Sequence, residues 1–239
     1  MRFEILTIFP GMFASPLAEG VVARAVQKEV LSIGIHDLRD YAEGRHRKVD
    51  DEPFGGGGGM VFKPEPIFTA VEAIRASQPA TPARVVLLSP QGVRFDQRTA
   101  ERYAVSGERL ILVCGRYEGV DERVREHLAD EELSVGDFIL TGGELAAMIV
   151  LDAVARLLPG TLGSPESADR ETFTTDTFDY PVYTRPAEFR GMKVPDVLLA
   201  GNHAAIAQWR REKAVEKTLK IRPELVAPAG RCGREPEER

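Results

Sequence analysis

Two apolar runs that each lead into a glycine-rich turn constrain the fold of this chain most strongly. The first run ends at Cys114 and is followed by Gly115, and the second covers Val135–Leu140 and is followed by Gly142–Gly143. Glycine lets a ligand approach the backbone closely, and a helix start follows each turn. Because parallel strands end at a common edge of their sheet, the two turns predict a ligand pocket at that edge.

Strand-like and helix-like segments alternate as far as Gly160, and the apolar runs are continuous rather than alternating with polar residues. This pattern is typical of a parallel sheet covered by helices, so we predict an α/β fold. The clearest predicted elements are the strands Phe3–Phe9, Ile33–Ile35 and Arg84–Leu88, the last ending at a turn over Ser89–Gly92, and the helices Leu17–Val30 and Glu144–Leu158.

The composition of the chain changes after Gly160, where a polar stretch rich in Pro and Thr begins. With 239 residues and 43% hydrophobic content, the chain can bury a large core and a smaller second one. We predict a main domain over 1–160, a linker or lid over 161–192, a small helical domain over 193–225 and a disordered tail over 226–239.

The two cysteines, Cys114 and Cys232, lie far apart in unlike surroundings. This argues against a disulfide framework or a cysteine metal site and favours a reducing compartment. No signal-like or membrane-spanning run is found in the sequence. We therefore expect a cytoplasmic protein without a membrane partner.

Positive charge is concentrated in two places despite a net charge of −6. Between Arg185 and Arg222 there are 9 Lys and Arg against 4 Asp and Glu, and a second basic cluster covers Arg45–Lys48. Two interpretations stay open for these clusters, a solvated surface or a region that binds nucleic-acid phosphates.

Several polar positions allow both a functional and a purely structural interpretation. The run Gly55–Gly59 lacks the Gly-Lys-Ser/Thr ending of a P-loop, so it is either a flexible loop or a backbone surface for RNA phosphates. Glu118 either contacts a ligand or caps the following helix. Arg156 either satisfies the end of its helix or faces the pocket. Any carboxylate in the loop 167–179 is either solvated or a general base.

Motifs along nearly the whole chain together resemble the bacterial tRNA (guanine-N1)-methyltransferases, a family of the SPOUT superclass of knotted methyltransferases. They are Ile8–Pro10, Arg45–Asp51, Gly55–Gly57, Leu88–Gly92, the two glycine turns, Tyr183–Pro186, Val197–Leu199, Gly201–His203 and Trp209–Arg210. The resemblance implies a parallel sheet with a deep trefoil knot, plus a small C-terminal helical domain. It also implies a homodimer whose active sites are shared between subunits.

The resemblance implies that the knot holds S-adenosylmethionine in a bent conformation. The expected cofactor-binding residues are Leu87, Leu88, Ser89, Pro90, Gly115, Tyr117, Glu118, Gly119, Ser134, Val135, Gly136, Asp137, Phe138, Ile139, Leu140, Gly142 and Gly143. Glycines and apolar strand ends suit the neutral purine and the methionine part of this molecule.

By the same resemblance, Arg156 stabilises the guanine O6 and Glu118 lies near the substrate amino group or holds a Mg²⁺ ion. The general base in the family is an aspartate at the position of Glu171, which is a departure in this sequence. We expect Glu171 to be the base, with Asp169 in reserve. Ala146 stands where many family members carry proline.

The resemblance implies methylation of N1 of the guanosine at position 37 of tRNA, next to the anticodon, which helps to maintain the reading frame. We expect the tRNA to be bound by Arg45, His46, Arg47, Arg185, Asn202, His203, Trp209, Arg210 and Arg211. Two alternatives stay open at this point: a catalytically silent RNA-binding relative, suggested by Glu171, and a ribose 2′-O-methyltransferase of the same fold.

Overall fold

The computed structural model describes residues 1–162, 172–173 and 177–226. The chain divides into two compact units, Met1–Pro165 and Glu166–Arg239. None of the described helices is both long and apolar enough to cross a membrane.

The first unit alternates strands and helices, as the sequence predicted. Its strands are β1 (Arg2–Thr7), β2 (Ser32–Asp37), β3 (Asp50–Asp51), β4 (Val61–Phe62), β5 (Ala83–Arg94), β6 (Arg109–Cys114) and β7 (Glu131–Ser134). Its helices are α1 (Gly20–Gln27), α2 (Pro64–Ser77), α3 (Gln97–Ser106), α4 (Glu122–His127) and α5 (Glu144–Ala155), with short 3₁₀ helices at Pro10–Phe13 and Leu38–Tyr41.

Five of these strands form one parallel sheet in the order β2-β1-β6-β5-β7. The central strand β6 is buried along its whole length, with Leu112 opposite Ile5 of β1 and Val86 of β5. Burial on both faces accounts for the continuous apolar runs in the sequence, and it confirms the predicted α/β fold with a parallel sheet.

Apolar residues pack on both faces of the sheet. On one face α1, α3 and α5 contribute buried side chains, among them Ala25, Tyr103 and Val150. On the other face α2 and α4 contribute Ile67 and Val124, among others. This three-layer arrangement leaves the carboxyl ends of the strands free to carry loops.

The predicted strand over Val135–Leu140, before the second glycine turn, was wrong. The strand is Glu131–Ser134, and Val135–Leu140 is a loop. Gly136 has φ of +151°, and a side chain there would meet the Phe138 ring at 2.5 Å. The chain therefore turns sharply where the apolar run suggested an extended segment.

The predicted turn at Ser89–Gly92 was also only partly right, because β5 continues through it to Arg94. The pairing with β7 shifts there, so that both Leu88 and Val93 lie opposite Leu133. The residues between them form a large bulge at the carboxyl end of the strand.

The second unit contains a short antiparallel hairpin, two helices and a final 3₁₀ turn. These are β8 (Glu188–Phe189), β9 (Met192–Lys193), α6 (Asp196–Leu199), α7 (His203–Ile221) and Pro223–Leu225. The long helix α7 buries Ala214 and Thr218, which are one turn apart on the same face. The Thr218 hydroxyl accepts a hydrogen bond from the Phe178 backbone N–H at 2.7 Å, which ties the helix to the extended segment before the hairpin.

Candidate active site in the first unit

A cavity of about 270 Å³ lies at the carboxyl ends of the strands of the first unit. Three segments line it: the bulge of β5, the turn after β6 and the loop between β7 and α5. Strand ends of this kind are where open α/β sheets bind ligands. The position matches the edge at which the sequence predicted a pocket.

The two glycine turns pack directly on each other. The Gly143 backbone N–H donates to the Gly115 carbonyl at 2.9 Å, and Arg116 and Gly142 form an antiparallel bridge. A side chain at Gly143 would stand 2.7 Å from the Cys114 Cα atom. Only glycine permits this approach of the two backbones, which closes one side of the cavity.

Glu144 and Arg116 lie beneath these turns and are structural. The Glu144 side chain is buried at the start of α5, where the helix dipole favours a carboxylate. It accepts hydrogen bonds from the Thr7 hydroxyl at 2.8 Å and from the Arg116 Nε atom at 3.1 Å. The Arg116 guanidinium lies 4.4 Å from the centre of the Phe9 ring. The pair therefore fixes the floor of the site.

Cys114 sits beside this ion pair at the end of β6. Burial raises the pKa of the Cys114 thiol well above its usual value, and the nearby Glu144 carboxylate raises it further. The thiol therefore stays protonated and is not a nucleophile at neutral pH.

Glu118 lies on the turn after β6, against the end of the glycine run. A side chain at Gly59 would meet the Glu118 carboxylate oxygen at 2.5 Å, and the Glu118 backbone N–H donates to the Met60 carbonyl at 3.0 Å. The Asp121 carboxylate, not Glu118, caps α4 by accepting from the Arg123 backbone N–H at 3.0 Å. The capping interpretation of Glu118 was therefore wrong, and its exposed carboxylate lines the cavity.

The structure brings most of the predicted cofactor residues together around the cavity. These are Leu87, Leu88, Ser89, Pro90, Gly115, Tyr117, Glu118, Gly119, Val135, Phe138, Ile139, Leu140, Gly142 and Gly143. Ser134, Gly136 and Asp137 lie on the same segment without lining it. The Ser134 hydroxyl instead donates to the Gly136 carbonyl at 3.0 Å, and it thereby shapes the loop.

Sequence reasoning missed part of the lining. The additional residues are Gln91, Arg116, Val120, Glu122, Arg125, Glu132, Leu133, Thr141 and Ala146. Glu122 and Arg125 form an ion pair with 2.7 Å between Nε and Oε1 on the first turns of α4. Their position just after a glycine turn is a signal that could have identified them, but a charge pair three residues apart on a helix also fits a solvated surface.

Arg156 follows the last residue of α5, far from the cavity of its own chain. Ala146 lines the cavity at the other end of this helix. The two residues are ten positions apart, which corresponds to about 15 Å along the helix axis. The predicted base, Glu171, and its reserve, Asp169, lie outside the described residues.

The predicted tRNA-binding residues fall in both units. Arg45, His46 and Arg47 are exposed in the first unit. In the second unit Asn202 caps α7 by accepting from the Ala205 backbone N–H at 3.1 Å, and Arg185, His203, Arg210 and Arg211 are exposed. Trp209 is half-buried, and its ring centre lies 6.4 Å from that of Tyr183.

No cluster of three or more metal-ligating side chains occurs in the part of the chain that the structure describes. The assignment of Mg²⁺ to Glu118 therefore stays a prediction.

Comparisons with known proteins agree over almost the entire length of the chain. A family model described as tRNA (guanine-1)-methyltransferase TrmD matches residues 1–228. A protein of Geobacter sulfurreducens named tRNA (guanine-N(1)-)-methyltransferase is 56% identical over 229 residues, covering 96% of this chain and 92% of that protein. Proteins of the same name from Listeria innocua and Dehalococcoides mccartyi are 51% and 53% identical, covering 95% of this chain and 92% and 90% of those proteins.

Proposed function

This chain belongs to the tRNA (guanine-1)-methyltransferase family and methylates N1 of guanosine in tRNA, and from that premise we propose how its residues perform the reaction. The proposed target is the guanosine at position 37, directly 3′ of the anticodon. An unpaired base in a loop exposes its Watson–Crick edge at low cost, which suits transfer to N1. The observation that carries the proposal is the match to the family over residues 1–228 together with the cavity at the strand ends.

S-adenosylmethionine fits the chemistry of this cavity. Leu87, Val135 and Leu140 offer apolar surface to a purine, while Glu118 and Glu132 offer carboxylates to the cationic end of the molecule. When bound there, S-adenosylmethionine supplies an electrophilic methyl group. The role of the glycine turns is then to hold the donor, since their backbones form much of the wall.

Guanine N1 carries a proton and is a poor nucleophile until that proton is removed. We assign its removal to the Glu171 carboxylate, with Asp169 as the alternative base. Negative charge then develops on O6, and the guanidinium of Arg156 stabilises it by donating hydrogen bonds. Glu118 is positioned at the cavity to accept from the guanine amino group or to hold a Mg²⁺ ion.

The position of Arg156 supports a site that is shared between two subunits. Because about 15 Å of helix separates Arg156 from the cavity of its own chain, a second copy of the chain is needed to bring the two together. Leu145 and Ile149 lie one turn apart on α5 and are 47% and 46% exposed. Such an apolar stripe is suited to a homodimer interface, which Phe9 and Met12 extend.

The path of the loop after β7 supports the proposed trefoil knot. β7 is at the edge of the sheet, yet the loop that follows it reaches the end of β6, two strands away. To do so it has to pass the end of β5, the strand on which β7 packs closely, since a side chain at Gly92 would meet the backbone of Glu132 and Leu133. In the proposed knot this loop would pass back between its neighbours, which is a rare exception to ordinary connection rules.

We assign binding of the tRNA backbone to the basic residues of both units. We expect the reaction to take place in the cytoplasm, where tRNA is found. We also propose the predicted division of the chain into domains on either side of the linker over 161–192. In this proposal the linker closes over the bound guanosine.

The test is methyl transfer from labelled S-adenosylmethionine to an unmodified tRNA transcript. We expect the label in 1-methylguanosine after nuclease digestion, and none when guanosine 37 is replaced by adenosine. Label recovered on ribose, or at another guanosine of the same transcript, would contradict the proposal.

A further inference from the structure

A second cavity, of about 450 Å³, lies wholly within the second unit and is not part of the methyl-transfer site. It is a groove between the extended segment before the β8–β9 hairpin and the helices α6 and α7. The residues that matter for its chemistry are Tyr180, Tyr183, Arg185, Leu198, Ile206 and Arg210. Its volume is in the range of about 300–1,000 Å³ that is common for small-molecule sites.

One wall of the groove is formed by a row of side chains spaced four residues apart on α7. Ile206 and Arg210 line the groove and are one helical turn apart, and the next two residues of the same row, Ala214 and Thr218, are buried. The hydrogen bond from Phe178 to Thr218 fixes the extended segment against this row. The wall of the groove is therefore set by packing and does not depend on a bound molecule.

Aromatic and cationic groups meet along this groove. The Arg210 guanidinium lies 4.6 Å from the centre of the Tyr180 ring. Tyr183 is 51% exposed, with the Trp209 ring beside it. Leu198 and Ile206 provide apolar surface. Flat rings next to a guanidinium are the groups on which unpaired nucleobases stack.

The charge of the groove is positive and unbalanced. No Asp or Glu lines it among the described residues, and neither Arg185 nor Arg210 has a carboxylate within 4.0 Å in that part of the chain. Other cations of the second unit are paired, for example Lys213 with Glu216 and Lys193 with Glu188. The two groove arginines thus keep their charge available for an anionic ligand.

We propose that this groove binds a second, unstacked nucleotide of the tRNA, with the base on Tyr183 and the phosphate paired with Arg185 and Arg210. The inference rests on the proposed function, since it takes tRNA as the ligand, and it adds a base-binding subsite distinct from the methylated guanosine. An acidic peptide would use the arginines alone, whereas the exposed aromatic ring favours a nucleotide.

The experiment uses the full-length protein and an anticodon stem-loop RNA that carries guanosine at position 37. Trp209 is the single tryptophan of the chain, so its fluorescence reports binding next to Tyr183. Removing the base at one loop position other than 37 is expected to weaken binding by about tenfold, the size of one stacking contact. In Tyr183→Ala the same abasic RNA and the intact RNA should bind with equal affinity, and Tyr183→Phe should restore the difference.

Arg210→Ala and Arg211→Ala form the matched pair for charge. Both remove one positive charge from adjacent positions of α7, but only Arg210 lines the groove. Both should weaken binding through loss of a charge near RNA phosphates, yet only Arg210→Ala should reduce the abasic-site difference. Circular dichroism melting establishes that each variant is folded.

Three outcomes overturn the inference. One is a Tyr183→Ala variant that still distinguishes the abasic RNA, and another is the absence of any abasic-site effect in the wild-type protein. The third is a Tyr183→Ala variant with unchanged RNA affinity and a reduced molecular mass by light scattering, which would assign the groove to a subunit interface. Methyl transfer is measured separately at saturating RNA, so a failure of the groove and a failure of the proposed reaction are distinguishable.

Discussion

Arg116 and Glu144 form an ion pair, with 3.1 Å between Nη2 and Oε2, that joins the turn after β6 to the start of α5. Both side chains are largely shielded from water, and Glu144 also accepts from the Thr7 hydroxyl on β1. Three separate segments of the chain are therefore held at one point beneath the cavity. The ion pair therefore anchors the base of the cavity to the folded core of the first unit.

Replacing Glu144 by alanine should destabilise the protein strongly. The change leaves the Arg116 charge and the Thr7 hydroxyl without their buried partner, which costs about 3–5 kcal/mol of unfolding free energy. Urea denaturation followed by circular dichroism measures the difference. The control is Arg123→Ala, which breaks an ion pair with Asp121. The Arg123 side chain is 61% exposed, so water screens this pair and its loss should destabilise the protein far less. Equal effects of the two changes would contradict a structural role for Glu144.

The sheet and most helices could be predicted from the sequence because buried segments consist mainly of apolar residues. β6 is covered on both faces, so its positions from Leu110 to Cys114 are apolar and the run is easily recognised. The helix α5 was likewise predicted from its apolar content, with only its end displaced from Leu158 to Ala155. Pockets at strand ends follow from the same topology, and the first glycine turn was placed correctly.

The errors occur where side-chain pairing replaces burial. β7 begins with Glu131 and Glu132, which look like surface residues in the sequence. Glu131 is accommodated because Arg102 and Tyr103 of α3 both donate to it, at 2.7 Å each. These two partners lie about thirty residues before Glu131 in the sequence. The spacing of apolar residues within a strand or a helix therefore does not indicate them. The long path of the loop after β7 is equally invisible to local patterns.

Gly143→Ala should weaken cofactor binding more than it changes the fold. The new methyl group would meet the Cys114 backbone at 2.7 Å, so the two turns must separate and the cavity wall must shift. We expect at least about tenfold weaker binding of S-adenosylhomocysteine by calorimetry, which is about 1.4 kcal/mol. Gly58→Ala is the matched control, because nothing lies within 4 Å of its added methyl group. Unchanged affinity in Gly143→Ala would exclude these turns from the cofactor site.

Because of Glu131, the free energy of unfolding should depend on pH in the acidic range. Hydrogen bonds from Arg102, and then from Tyr103, lower the pKa of Glu131 from 4.5 to about 2, against the opposing effect of burial. Because the folded pKa is the lower one, the stabilisation is complete above about pH 4.5 and is lost as the pH falls through 2. Unfolding free energies measured between pH 2 and 7 should fall less steeply in Glu131→Gln than in the wild-type protein. Parallel curves would show that the network does not hold the charged form.

Ile149→Asp should convert a dimer into monomers if α5 forms the interface. The exposed stripe of Leu145 and Ile149 would then carry a charge that faces the same stripe of a second copy. Light scattering after size-exclusion chromatography gives the mass, and methyl transfer should be lost together with the dimer. Val105→Asp is the control, an exposed apolar position on α3. A wild-type monomer, or a dimeric Ile149→Asp variant, would require a different interface.

Glu171→Gln should remove the chemical step while cofactor binding stays unchanged. Loss of a general base reduces the rate by about 10²–10⁴-fold, and single-turnover methylation of tRNA measures it free of product release. Asp169→Asn should have a much smaller effect. If Asp169→Asn is the inactive variant and Glu171→Gln is not, the roles of the two carboxylates are reversed.

A mixture of two impaired variants tests whether one subunit holds the methyl donor while the other supplies Arg156. The assay uses an S-adenosylmethionine concentration that saturates the wild-type protein but not Gly143→Ala. Arg156→Ala keeps an intact cavity but lacks the guanidinium, whereas Gly143→Ala keeps the guanidinium but has a distorted cavity. In a shared arrangement, heterodimers formed from equal amounts contain one complete site each, so about a quarter of the wild-type sites reappear. If each subunit used its own Arg156, no heterodimer would contain a complete site and mixing would restore no activity. The roughly 15 Å between Arg156 and the cavity along α5 leads us to expect recovery of activity on mixing.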